Sequence, residues 1–114
     1  MEEKIKMSIL CSIYGKLLTE KQYEILNDYY NNDFSLSEIA ENNEITRQAV
    51  KDVINKSNDK LLEYENKLSF MDKMLKQKAC VNEIIDDLSR LKNKELTEGK
   101  INSLSKKLEQ LIDE

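Results

Sequence analysis

A chain of 114 residues suits one compact domain, or a small domain with a helical appendage. It holds no proline and only two glycines, Gly15 and Gly99, too few turn residues for a β-rich fold; 35% charged against 39% hydrophobic residues points instead to amphipathic helices. The net charge of −4 withholds a general basic footprint, so any nucleic-acid contact must rest on a local patch.

The first helix is predicted over about residues 3 to 14. Ile5, Ile9, Leu10, Ile13 and Leu17 recur at three- and four-residue steps and define its apolar face. Gly15 stands near its end, where a left-handed residue commonly closes a helix. Thr19-Glu-Lys-Gln22 has the form of a capping box, which starts a second helix running to about Asn31 with Tyr23, Leu26, Tyr29 and Tyr30 as anchors. Asn31-Asn32-Asp33 closes it.

Ser35-Leu-Ser-Glu38 is a second capping box, opening a short helix with Leu36, Ile39 and Ala40 turned inward. Asn42-Asn43-Glu44 forms the turn. Thr46 then caps a longer helix with Val50, Val53 and Ile54 inward. Small Ala40 lets the two helices cross closely, and Ile45, Val50 and Val53 complete the wedge. Such turns often place glycine where this chain has Glu44, beside two asparagines that tolerate left-handed geometry.

Residues 35 to 54 therefore form a helix-turn-helix of the sigma-factor region-four kind, whose second helix usually enters the DNA major groove. Its contact candidates are Thr46, Arg47, Gln48, Lys51 and Lys56. Arg47 and Gln48 suit guanine and adenine edges, whereas Lys51 and Lys56 suit phosphate. Between Thr46 and Lys60 four basic residues (Arg47, Lys51, Lys56, Lys60) outnumber two acids (Asp52, Asp59), but Glu38, Glu41 and Glu44 precede them. An ordinary solvated helix face explains the same charges.

No helix-breaker interrupts Thr46 to about Lys78. Leu61, Tyr64, Leu68, Met71 and Leu75 follow heptad spacing, so the recognition helix is expected to continue, straight or slightly bent, into a stalk. Val81, Ile84, Leu88 and Leu91 make a second seam, interrupted at Lys92-Asn-Lys-Glu-Leu-Thr97. Ile101, Leu104, Leu108 and Leu111 form a last one, on a helix capped by Thr97. These seams must be buried by folding back or by a second copy of the chain.

The expected fold is thus all-α. A helix-turn-helix domain (winged-helix-like or sigma region-four-like) spans 1–60, and a long helix leads into C-terminal amphipathic helices over 61–114, a dimerisation or partner-binding region.

Catalysis finds no foothold. Without histidine there is no His-based general base or metal site, and no Gly-rich phosphate loop occurs, so no enzyme activity, metal or cofactor is expected. Asp86-Asp87 and Asp113-Glu114 read as solvated carboxylates. Cys11 and Cys80 lack disulfide or CxxC spacing; Cys11, among Ile9, Leu10 and Ile13, reads as a small buried hydrophobe. The five tyrosines sit at helical spacing and read as core or rim rather than as a base-stacking platform. No signal peptide or membrane-length apolar run is visible, so a soluble cytoplasmic protein without membrane insertion is expected.

Tyr14-Gly-Lys-Leu-Leu-Thr-Glu-Lys-Gln22, Tyr29-Tyr30, Ser35-Leu-Ser-Glu-Ile-Ala-Glu41, Thr46-Arg-Gln-Ala-Val50 and Tyr64-Glu-Asn-Lys-Leu68 together resemble the bacterial YlxM family. The resemblance covers about half the chain and implies a small regulator with a sigma region-four-like helix-turn-helix. It also implies a link to the signal recognition particle pathway, through the neighbourhood of the family's genes. The implied partners are DNA and components of the particle, with Arg47 and Gln48 at the matching recognition-helix positions. The final third matches only in being charged and helical. A helical adaptor that binds the particle's proteins or RNA without DNA remains the competing reading.

Overall fold

The computed structural model describes residues 2–91 and 97–112, which group into two compact units, 1–71 and 72–114. Every regular element among them is helical: α1 (Glu3–Tyr14), a 3-10 turn (Gly15–Leu17), α2 (Glu20–Tyr30), α3 (Leu36–Asn43), α4 (Arg47–Leu68), α5 (Phe70–Arg90) and α6 (Glu98–Ile112). The fold is all-α, with a helix-turn-helix followed by amphipathic helices. No helix among the described residues is long and apolar enough to cross a membrane.

In the first unit α4 packs against α1, α2 and α3. Val50, Ile54, Ser57 and Leu61 form its buried stripe, at the spacing of one helix face. Against it lie Met7, Leu10, Cys11 and Tyr14 of α1, Ile25 and Leu26 of α2, and Ile39 and Ala40 of α3. The α1 stripe is rotated from the expected one. Leu10 belongs to both, but Ile5 and Leu17 are more than half exposed, and Met7, Cys11 and Tyr14 take the core positions. Apolar residues surround most of this helix, so docking against α4 selects the face. Burial pushes the Cys11 thiol above its ordinary pKa.

Gly15 corrects another expectation. Its φ is −55°, right-handed, and it opens the 3-10 turn instead of closing α1 in the left-handed region. The reason for glycine lies in packing: a Cβ there would sit 2.5 Å from two carbons of the Tyr23 ring.

Both capping boxes form. The Gln22 amide donates to the Thr19 hydroxyl and the Thr19 amide to Gln22 Oε1; Glu38 and Ser35 repeat the exchange. After α2, Asp33 takes a φ of 55° and the Phe34 amide donates back to the Asp28 carbonyl.

The helix carrying the motif stops earlier than its heptad pattern implies. Ser69 adopts a left-handed φ of 56° and separates α4 from α5. The Glu65 carboxylate stabilises this break: Oε1 accepts from the Tyr14 hydroxyl at 2.7 Å and from the Met71 amide at 2.9 Å. The Phe70 amide donates to the Tyr14 oxygen at 3.1 Å, and the Tyr14 ring lies beside those of Tyr64 and Phe70. A carboxylate from one helix and a tyrosine oxygen thus each serve one orphan amide at the start of the next. Leu61 faces the core, Leu68 is 41% exposed, and the expected seam divides at that point.

In the second unit Thr97 caps α6, its hydroxyl accepting from the Lys100 amide. Lys107 on α6 reaches Asp87 on α5 at 2.6 Å, and the Cys80 thiol lies 3.6 Å from the Lys107 carbonyl. Of the unit's described hydrophobic side chains only Ile84 is buried; Val81, Ile85, Leu88, Ile101, Leu108 and Ile112 are exposed. The expected interruption at Lys92–Leu96 and the Asp113-Glu114 pair lie outside the described residues.

Candidate nucleic-acid interface

The turn between α3 and α4 is built by Glu44. Its φ of 55° and ψ of 41° place it in the left-handed region, and its amide donates to the carbonyls of Ala40 and Glu41. The positive φ therefore falls on the residue that stands where glycine is common, not on the asparagines. Asn43 is the last residue of α3, and its side chain donates to the Ile39 carbonyl. The Ile45 amide returns to the Ala40 carbonyl at 3.0 Å. Ile39, Ala40 and Val50 are buried and Val53 half-buried, which forms the expected wedge, but Ile45 is 38% exposed and sits at its rim.

Thr46 is the N-cap of α4, its hydroxyl accepting from the Ala49 amide at 3.0 Å. Arg47, Gln48, Lys51 and Lys56 are all exposed. At about 100° per residue, Arg47 and Lys51 share one flank of α4, while Lys56 and Lys60 share another roughly half a turn away. Between these flanks runs a ridge of Gln48, Asp52, Asn55 and Asp59, facing away from the core stripe. The structure thus gathers Thr46, Arg47, Gln48 and Lys51 at the start of α4 but separates Lys56 from them. Gln48 Nε2 donates to Asp52 Oδ1 at 3.1 Å, a partner that sequence reading overlooked although i, i+4 spacing signals it. Lys60 turns towards Gln22 Oε1 at 3.4 Å, beside the start of α2.

Helix dimensions define what such a surface can do. A single α-helix fits the major groove of B-DNA, its outward ridge meeting base edges and its flanks the two phosphate walls. Gln48 lies on the ridge, with Arg47 and Lys51 towards one wall and Lys56 towards the other. Exposed Glu38, Glu41 and Glu44 on and after α3, with Asp52 and Asp59 on the ridge, oppose that approach electrostatically.

The tyrosines offer no stacking platform. Tyr14 is buried, and Tyr29 and Tyr30 pack edge to face with ring centroids 5.0 Å apart. The Tyr30 hydroxyl accepts from Asn58 on α4. Burial raises the pKa of Tyr14 and Tyr30; for Tyr14 the Glu65 carboxylate adds to the shift.

Comparison with known proteins gives a consistent result. The sequence model of the UPF0122 family, described as "Putative helix-turn-helix protein, YlxM / p13 like", matches residues 1–104. A UPF0122 protein of Clostridium acetobutylicum is 47% identical over 94 residues, covering 82% of this chain and 81% of the relative. One from Clostridium kluyveri is 46% identical over 99 residues, covering 84% and 89%. One from Clostridium perfringens strain 13 is 39% identical over 113 residues, covering 99% of each.

Proposed function

The chain belongs to the UPF0122 family of YlxM / p13-like helix-turn-helix proteins, and on that premise we propose that it is a cytoplasmic, non-enzymatic DNA-binding regulator linked to the signal recognition particle pathway. The carrying observation is that the start of α4 presents Thr46, Arg47, Gln48 and Lys51 outward while Val50 and Ile54 hold the opposite face in the core. The pathway link rests on the resemblance alone.

The test is a mobility assay with promoter DNA from the protein's own operon, and with the particle's RNA, over a range of salt. Arg47→Ala and Gln48→Ala should each weaken the promoter complex by roughly 1–3 kcal/mol and relax its sequence preference. Lys51→Ala and Lys56→Ala should weaken it evenly across sequences. No complex with either nucleic acid at low salt would sink the regulator reading.

A second reading, a helical adaptor for the particle's proteins, is favoured by the exposed acids Glu38, Glu41 and Glu44 and by Asp52 on the ridge. It requires capture of the particle's GTPase or receptor that survives Arg47→Ala and fails on removal of residues 79–114.

We also propose that the second unit is completed by a second copy of the chain. Among its described residues, the exposed leucines and isoleucines and the single buried apolar side chain, Ile84, leave the unit short of the core that so small a body needs. Sedimentation at micromolar concentration should give twice the monomer mass; a clean monomer would rule the dimer out.

A further inference from the structure

The second unit arranges charge and apolar surface in the reverse of the usual order. The side chains of Lys107 and Asp87 are only 24% and 30% exposed, while Ile85, Leu88 and Leu108 stand about half exposed. Between the end of α5 and α6 lies a cleft of about 350 Å³, with Asp87, Arg90 and Leu91 on one wall and Lys100, Ser103, Leu104 and Lys107 on the other, so that charged groups flank a small apolar floor. Positions 100, 103 and 107 share one face of α6, as 87 and 90 share one face of α5, so helix geometry aims these groups at one space.

Among the described residues, three cations and one carboxylate line it. Lys107 Nζ lies 2.6 Å from Asp87 Oδ2, and Arg90 Nη1 lies 4.0 Å from Asp87 Oδ1. Lys100 has no carboxylate partner among the described residues. A hairpin selected for stability alone would place apolar residues on facing stripes, because crowding like charges costs free energy without a counter-ion. Among the described residues Asp87 pairs with Lys107 and Arg90, and Glu83 acts on Lys107 from further off, so the cations still outnumber the acids around the cleft. A guanidinium fork, two ammonium groups and the Ser103 hydroxyl together form a donor set for phosphate, whose oxygens accept from all three kinds of group.

The excess is wider than one phosphate needs. In sequence, residues 90 to 107 hold six basic side chains against two acids (Glu95 and Glu98), within a chain of net charge −4. This local excess exceeds that at the start of α4. We propose that the α5–α6 cleft of Arg90, Lys100, Ser103 and Lys107 is a second nucleic-acid site, which grips the phosphodiester backbone without reading bases. The inference goes beyond the helix-turn-helix reading and does not rest on it. Asp87 positions Lys107 and moderates the charge. The hydrogen bond between them holds the Asp87 carboxyl below its ordinary range and Lys107 above its own.

Full-length protein should be titrated with duplex DNA and duplex RNA of equal length, both lacking the promoter sequence, between about 50 and 200 mM salt. Arg90 and Lys100 are exposed, so Arg90→Gln/Lys100→Gln should retain the helical circular dichroism of the parent. That variant should bind roughly tenfold more weakly at low salt, with the slope of log affinity against log salt reduced by about two. Asp87→Asn should bind more tightly than the parent, and the gain should vanish in the Arg90→Gln/Lys100→Gln background; a gain that persists there would count against the cleft. Loss on both duplexes identifies backbone phosphate in general, and loss on one alone identifies DNA or RNA as its source; each supports the site. Unchanged affinity and slope on both duplexes, or no binding by the parent to either, would overturn it. An Arg47→Ala/Lys51→Ala variant separates the two readings. If only that pair matters, the cleft fails and α4 stands; if only the Arg90/Lys100 pair matters, the reverse holds.

Discussion

Leu61→Ala should lower the unfolding free energy of the first unit by about 3 kcal/mol, whereas Leu68→Ala, one heptad further along the same helix, should cost less than about 1 kcal/mol. The two leucines occupy equivalent places in the heptad pattern. In the structure Leu61 is fully buried with Val50 and Ile54 on the core stripe, and Leu68 is 41% exposed beside the Ser69 break. Truncating the first removes buried methyl groups and leaves a cavity in the core; truncating the second mostly removes surface already in water. Urea denaturation of both variants checks the pair. Equal losses would mean that α4 continues its buried seam past Ser69.

Glu65→Ala should have a comparable effect through a different cause. The substitution removes the acceptor of the Tyr14 hydroxyl, on a side chain only 2% exposed, and of the Met71 amide. Stranding a buried hydroxyl and a helix-end amide costs about 3 kcal/mol together. Glu65→Gln retains a carbonyl acceptor and should recover part of that loss. Tyr14→Phe leaves the carboxylate its Met71 partner, removes the acceptor of the Phe70 amide, and should cost about 1–2 kcal/mol. A Tyr14/Glu65 double-mutant cycle followed by thermal melting measures the coupling, which should be at least about 1 kcal/mol; strict additivity would deny the shared network.

These two results concern features with very different visibility in the sequence. The capping boxes at Thr19 and Ser35 and the Thr46 cap are four-residue chemistry, so they and the helices they open were legible from local order alone. The buried stripe of α1 was not. With Ile5, Met7, Ile9, Leu10, Cys11 and Ile13 in one short helix, several faces are apolar, and only docking decides among them. Gly15 departs from its sequence expectation for a similar reason. A glycine at a helix end suggests backbone freedom, but the constraint is the Tyr23 ring, which local sequence does not reveal. The break at Ser69 depends on Glu65 and Tyr14, the latter from a distant part of the chain, and no Gly or Pro marks it.

For the candidate interface, spacing was enough to put Arg47, Gln48 and Lys51 on the outer surface at the start of α4. The tie from Gln48 to Asp52 and the separate flank of Lys56 require the helix to be built residue by residue. The α5–α6 cleft has no local signature in the sequence because its cations are distributed over two helices. A running charge balance along the chain, maximal over residues 90 to 107, was the signal available.

Among the described residues, Asp33, Glu44 and Ser69 adopt left-handed dihedrals at bends between helices, all with φ near 55°. Each bears a steric cost that glycine would largely relieve, roughly 0.5–1 kcal/mol after glycine's greater freedom in the unfolded chain is counted. The bends therefore leave single-substitution routes to higher stability open, away from the core. A lineage could offset a destabilising change on the outward ridge of α4 by exchanging one of these residues for glycine, with no core side chain altered. The strained turns thereby widen the range of surfaces that this scaffold can present without losing its fold.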